Sequence, residues 1–409
     1  MPPGPRGEWR AGWGVVASCA AALGTGAVLY QYVVSLFITS IEAELGWSRG
    51  DIALIGATPL LGALSAPLIG RVADRFGVRP VAIISTLIVA IAFFGLSQQG
   101  GSIAEAMAWM LLLGAAVPGT TGLVYSRAVT GWFSASRGLA LGVMTSGISV
   151  SALIASPLIG QVVEAEGFRA GYLVLGLLAL GIALPAILIG VRERPVPLAE
   201  EGLAHAGEPP AKGEWRQQVK LGRFWLLAAV MLLMNIPSAG VLTQLAPLLG
   251  GKGFSVSEAA WMMSAYALSV LVGRIGVGWL FDRYPATRVA AGVTFLAAMG
   301  CIAFHGATPQ AFVYFGILTV GLMQGAESDV LAYFVARMFP HRDFATVYGL
   351  QMTAGLLGTA IGVIAFGRLY DATQSYDLAL MIAAVMLMVV VGLYLTLAGP
   401  MRRPLEASH

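Results

Sequence analysis

The chain has 409 residues, 57% of them hydrophobic and only 11% charged, and its mean hydropathy is +0.80. No ordinary soluble domain has that composition, so most of the chain has lipid as its solvent. The net charge is only +3 and reflects how basic residues are placed for membrane orientation, not nucleic-acid binding.

Twelve apolar stretches follow one another, roughly at 13–40, 51–70, 79–97, 103–126, 138–163, 169–191, 224–249, 258–281, 287–305, 309–336, 344–367 and 378–398. Each is close to the roughly 20 residues that cross a hydrocarbon core of about 30 Å as a helix. Met1–Arg10 is too polar for a cleavable signal peptide, and the first apolar run is too long to be part of one. After the second stretch comes a glycine–acid–basic cassette: Gly70, Asp74, Arg75, Gly77 and Arg79. Pro59, Pro67, Pro157 and Pro237 are placed to bend helices. From Arg192 to Arg223 runs the one long polar segment, with Pro195, Pro197, Pro209 and Pro210 among its charges, which predicts a flexible linker.

Beyond the linker the cassette recurs in part as Gly278, Asp282, Arg283 and Arg288. Its flank recurs as well: Gly46-Trp47-Ser48 with Asp51 is echoed by Gly253-Phe254-Ser255 with Glu258, and Trp47 and Phe254 lie 207 residues apart. Two similar halves predict an all-α membrane protein with twelve spans in two pseudo-symmetric six-helix bundles. The expected boundaries are 1–191 for the N-terminal bundle, 192–223 for a cytoplasmic linker, and 224–409 for the C-terminal bundle with a short cytoplasmic tail. With both ends in the cytoplasm, nineteen of the 24 Lys and Arg face that side. Arg49, Arg169, Lys252 and Arg368 face the other, and Arg274 falls inside a helix. The expected location is the cytoplasmic (inner) membrane.

Cys19 and Cys301 sit in apolar stretches and read as small buried hydrophobes. Asp74 falls at a helix C-terminus, where a negative charge is unfavourable unless a cation or another helix N-terminus answers it. Arg75 and Arg79 can do so, and Gly70 can let helices approach, so the cassette is expected to act as a conformational latch together with Asp282 and Arg283. The plainer reading is a solvated turn that obeys the rule placing positive charge inside.

Gly70-x-x-x-Asp74-Arg75-x-Gly77-x-Arg79 closely resembles the loop motif between helices 2 and 3 of the major facilitator superfamily. The resemblance runs over the whole chain and implies alternating access by two bundles, with no cofactor. It leaves the substrate open. A narrower resemblance lies in Trp132–Gly142, where Phe133, Arg137, Leu139, Ala140, Gly142 and, further on, Gly147 match the fifth-helix signature of monocarboxylate transporters. Trp132, Ala135, Ser136, Met144, Ser146 and Ser151 depart from it. In the first-helix signature Gly12-Trp13-Gly14 fit, whereas Arg10, Ala11 and Val15 do not.

Arg274 lies mid-stretch, eight positions before Asp282. That spacing is similar to the carboxylate-binding arginine of monocarboxylate transporters and oxalate–formate antiporters. A guanidinium is costly in hydrocarbon, stays protonated, and offers a planar fork that fits a carboxylate. A permanent ion pair with an acid of a neighbouring helix is the other reading. Oxalate–formate antiporters carry a second cation in helix 11, but Tyr348 to Phe366 holds no Lys or Arg, which favours a monoanion. The lysine common in helix 1 of monocarboxylate transporters is missing, and the aspartate that some members place one turn before the arginine is Val270 here. Glu327 and Asp329 can take over proton coupling, since acids in apolar helices can carry a proton through a transport cycle. One of them can instead pair with Arg337, Arg127 or Arg274. Tyr30, Gln31, Tyr125, Asn235, Gln244, Tyr266, Gln324 and Tyr333 are the further candidates for lining a substrate cavity.

The expected function is secondary transport of a monocarboxylate or similar organic anion, with the proton as coupling ion, by a monomer in membrane lipid. An exporter of amphipathic or aromatic compounds driven by Glu327 or Asp329 is the alternative. A transporter-like receptor is disfavoured by the short linker and tail. His205, His305, His341 and His409 show no catalytic or metal-ligand spacing, and no Walker cassette is present, so neither an enzyme nor an ATP-driven pump is expected.

Overall fold

The computed structural model describes residues 5–57, 60, 64–133, 136–193, 215–281, 283–305, 309–340 and 344–397. Among them every regular element is a helix. In the first half these are α1 (Pro5–Thr25), α2 (Val28–Val33), α3 (Ser35–Leu45), α4 (Arg49–Ala57), α5 (Ala66–Phe76), α6 (Val78–Ser97), α7 (Ile103–Ala116), α8 (Gly122–Thr130), α9 (Arg137–Leu178) and α10 (Leu184–Gly190). A 3-10 turn, Val117–Thr120, links α7 to α8, and a π-helical turn, Ala179–Ala183, links α9 to α10. The second half begins with α11 (Trp215–Val219), α12 (Gly222–Thr243) and α13 (Leu245–Gly250). It continues with α14 (Val256–Phe281), α15 (Ala286–Ala303), α16 (Gln310–Met338), α17 (Phe344–Thr373) and α18 (Asp377–Thr396).

The predicted stretches map onto these helices with instructive differences. The first is broken into α1, α2 and α3, and the seventh into α12 and α13. The fifth and sixth are the two helical segments of α9, separated as expected between 163 and 169, where the backbone leaves the helix at Gly167 with φ 82° and ψ 178°. Only glycine adopts that conformation readily, and a Cβ there would also strike the Glu44 carboxylate. The bend is tied down by Ser40, whose hydroxyl accepts from the Phe168 amide at 2.9 Å, and by the Glu44–Arg169 pair at 2.5 Å.

Eight of the described helical runs are long and apolar enough to cross a membrane. Large apolar side chains lie on the outside of these helices, among them Ile154, Ile189, Trp225, Ile275 and Leu357. In water such a surface would aggregate; in a bilayer it is the solvated face, and helices associate by close packing instead.

The chain forms two compact units, Met1–Val196 with Thr243–Ala267, and Pro197–Leu242 with Leu268–His409. The first unit has a core where Val16, Cys19 and Leu23 of α1 meet Val78 and Ala82 of α6, Tyr125 of α8, Met144 of α9 and Ile187 of α10. Gly24 and Gly147 bring α1 and α9 into contact: a Cβ on either would enter the backbone of the other helix. Gly147, one of the residues matching the monocarboxylate-transporter pattern, thus has a packing role. Both cysteines are buried and free.

Candidate functional site: a polar junction of four helices

The second unit carries its polar groups where backbones lie closest. In α17, a Cβ on Gly358 would strike the Leu232 carbonyl oxygen and one on Gly362 that of Ile236, so α17 lies flush against α12. Pro237 lies inside α12 and removes one helical N–H beside this contact. Asn235 is held in the seam and is 7% exposed. Its Nδ2 donates to the Met231 carbonyl at 2.9 Å and to Glu327 Oε1 at 2.7 Å. Its Oδ1 accepts from the Thr359 hydroxyl at 3.2 Å. The amide of Asn235 therefore joins α12, α16 and α17, and both of its ends are engaged inside the protein.

A second seam joins α14 to α16. A Cβ on Gly273 would strike the Leu322 carbonyl, and one on Gly325 the Val270 carbonyl, with the Arg274 amide nitrogen 3.0 Å away. Ser269 donates to the Leu318 carbonyl and closes the same contact. Val270 is buried in this seam. Arg274 follows directly and is half-buried. Its Nε is buried with no hydrogen-bond partner, and among the described residues no acid pairs with it. A buried guanidinium N–H left without an acceptor costs on the order of 1–3 kcal/mol.

Gly325→Val is expected to force α14 and α16 apart, at a cost of about 1–3 kcal/mol for overpacking. The matched control is Gly142→Ala, where an added Cβ meets open space. Thermal unfolding in detergent should show a lower Tm for the first and none for the second.

Glu327 is half-buried and has a second side. It borders a narrow apolar pocket lined by Met234, Val277, Val293, Met323 and Val330, with Thr294 and Tyr394 as its other polar members. The Tyr394 hydroxyl donates to the Met234 sulfur at 3.6 Å. Of the three arginines considered as partners for the acids, Arg127 pairs with Asp74, Arg337 lies over the Tyr333 ring at 5.5 Å, and Arg274 has no partner among the described residues. The side chain of Asp329 lies outside the described residues.

The remaining cavity candidates are scattered. Tyr30 is in the first unit, in an aromatic cluster with Phe37, Phe93 and Tyr172, and its hydroxyl is 3.4 Å from that of Tyr172. Tyr125 and Tyr266 are buried, whereas Gln31 is exposed. Gln324 is half-buried on α16, and Tyr333 packs on Phe281 with ring centroids 5.0 Å apart. Thr359 was not among the residues singled out from sequence. A hydroxyl in an apolar helix is common, and only its contact with Asn235, 124 positions away, distinguishes it.

The cassette is wired differently from the expectation. Asp74, in the last turn of α5, is answered by Arg127 of α8 and not by Arg75 or Arg79. Arg79 donates to the Leu188 carbonyl of α10, and Arg75 lies over the Phe76 ring at 5.3 Å. The reason is direction: Arg75 and Arg79 turn toward other neighbours, while α8 brings Arg127 to the carboxylate. Among the described residues a Cβ on Gly70 would meet nothing within 4 Å. In the second copy Arg283 lies over the Trp279 ring at 3.9 Å, and Asp282 is outside the described residues.

The family model described as Major Facilitator Superfamily matches residues 15–363. Together with the two-bundle pattern of twelve apolar spans, this identifies the class: the chain belongs to the major facilitator superfamily, whose members are transporters. Among its relatives, monocarboxylate transporter 13 of Rattus norvegicus is 25% identical over 409 residues, 96% of this chain and 90% of that one. The probable nitrate/nitrite transporter NarK2 of Mycobacterium tuberculosis (strain ATCC 25618 / H37Rv) is 28% identical over 344 residues, 81% of this chain and 83% of that one. The crystal structure of the nucleoside transporter NupG superposes with a TM-score of 0.71 at 15% identity, covering 94% of this chain and 99% of that chain, a likeness of fold.

Proposed function

We propose that this chain is a secondary active transporter of a monocarboxylate or similar organic anion, working by alternating access and coupled to protons. The observation that carries the reading is Arg274: a guanidinium in an apolar helix that has no partner among the described residues and whose Nε–H is buried without an acceptor among them. A carboxylate supplies both the charge and the acceptor, and it fits the planar fork with two parallel bonds. A monoanion is favoured because the stretch Tyr348 to Phe366 brings no second cation. Relatives named for monocarboxylate and for nitrate or nitrite transport are both named for anions, which supports the class of cargo.

Proton coupling is assigned to Glu327, with Asp329 as the second candidate. In this reading the bundles are 1–191 and 224–409, joined by the cytoplasmic segment 192–223. Both termini face the cytoplasm in an inner membrane, and the unit of transport is a monomer. The direct test is uptake of labelled lactate and benzoate into proteoliposomes under an inward proton gradient. Accumulation above protein-free vesicles supports the reading, and no accumulation of either acid contradicts it. One observation favours a second reading: Glu327 also borders an apolar pocket. A carboxyl beside an apolar wall suits a proton-driven exporter of amphipathic compounds, and protection of cells against unrelated toxicants would favour it.

The latch role of the cassette has its own test. The Asp74–Arg127 pair is exposed, with side chains 67% and 43% accessible, so it contributes at most about 1 kcal/mol to stability. Asp74→Asn is therefore expected to leave the Tm nearly unchanged while slowing transport severalfold. Unchanged transport would reduce the cassette to a solvated turn.

A further inference from the structure

We propose that Asn235 is the positioning residue of the coupling carboxylate, and that Thr359 sets which end of its amide Glu327 meets. The inference rests on the proposed role of Glu327 and names how that role is enforced. An asparagine amide has a donor end and an acceptor end, and a flip exchanges them. Here the donor end is fixed by two acceptors, the Met231 carbonyl at 2.9 Å and Glu327 Oε1 at 2.7 Å. The acceptor end is fixed by the Thr359 hydroxyl at 3.2 Å. Thr359 in turn sits in α17 one residue past Gly358, whose missing side chain lets α17 reach the Leu232 carbonyl and the Asn235 Cβ. The amide cannot turn without breaking three bonds, so Glu327 always meets N–H.

An N–H donated to a carboxylate is charge-assisted and is about twice as strong as one donated to a neutral carboxylic acid. Loading a proton on Glu327 thus weakens the tie from α16 to α12 and α17, and releasing it restores the tie. Proton occupancy is thereby converted into how firmly three helices of one unit are held together. Among the described residues, the charged or titratable groups that neighbouring elements bring to this level are Arg274 on α14 and Tyr394 on α18. The other neighbours, Asn235 on α12, Thr294 on α15 and Thr359 on α17, do not titrate.

The test uses infrared difference spectra of the purified full chain across a pH titration, without substrate. The carboxyl band of Glu327 is identified as the one lost in Glu327→Gln. Asn235→Ala and Thr359→Val are expected to move that band, and Thr359→Ser, which keeps the hydroxyl, is expected to leave it in place. Melting curves confirm that each variant is folded, and Thr359→Val carries the test should Asn235→Ala not fold. In proteoliposomes, proton-driven uptake of lactate or benzoate relative to exchange is expected to fall about tenfold in Thr359→Val and to persist in Thr359→Ser. A Glu327 band that stays in place in folded Thr359→Val overturns the inference, as does equal behaviour of the valine and serine variants. If the band moves as expected while wild type transports neither acid, the positioning stands and the carboxylate-transport reading fails.

Discussion

Arg274→Ala is expected to reduce carboxylate uptake in proteoliposomes by about 100-fold while leaving a folded protein. The estimate follows from chemistry: two charge-assisted hydrogen bonds to one carboxylate are together worth about 3 kcal/mol, and every 1.4 kcal/mol is tenfold. Stability should survive because Arg274 has no partner among the described residues to leave stranded. Removing a half-buried charge whose Nε–H has no acceptor among the described residues also relieves a cost, so the Tm of the variant should equal or exceed that of wild type. Arg274→Lys keeps the charge but loses the planar fork, and an intermediate loss is expected. Had Arg274 been a structural ion-pair residue, alanine would lower the Tm sharply and uptake only as a consequence.

Glu327→Gln is expected to separate two activities. The glutamine carbonyl can still accept from Asn235, so the junction of α12, α16 and α17 keeps its geometry. What is lost is the proton. Net uptake driven by a proton gradient should therefore fall to the level of protein-free vesicles, whereas exchange of internal for external carboxylate should persist. Loss of both activities in a folded variant would assign Glu327 to substrate binding instead. Retention of both would pass the coupling role to Asp329.

Much of the fold could be read from the chain because the signals are local. A run of about 20 apolar residues, a polar proline-bearing segment and a cassette repeated at half the chain length need no knowledge of neighbours. Where helices break is less legible. The first stretch, 13–40, is broken into α1, α2 and α3 with no charge or proline at the breaks, whereas the break at Gly167 falls between the expected stretches 138–163 and 169–191. The site was legible in its charges and obscure in its contacts. Arg274 and Glu327 stand out because charge in an apolar helix is costly. Their surroundings depend on residues far away in sequence: Asn235 meets Glu327 across 92 positions, and Asp74 meets Arg127 across 53. Aromatic candidates fared differently because a tyrosine serves a core as readily as a cavity. Tyr30 joins an aromatic cluster and Tyr125 is buried in the first unit's core.

The central claim, that Arg274 holds the carboxylate of a monoanion, is tested most directly by binding. Thermal stabilisation of wild type and Arg274→Ala would be measured with lactate, benzoate and related acids, since a ligand that binds only the native state raises its Tm. The account predicts a concentration-dependent rise in wild type that disappears in Arg274→Ala. An equal rise in both proteins, or no rise with any acid, would contradict it.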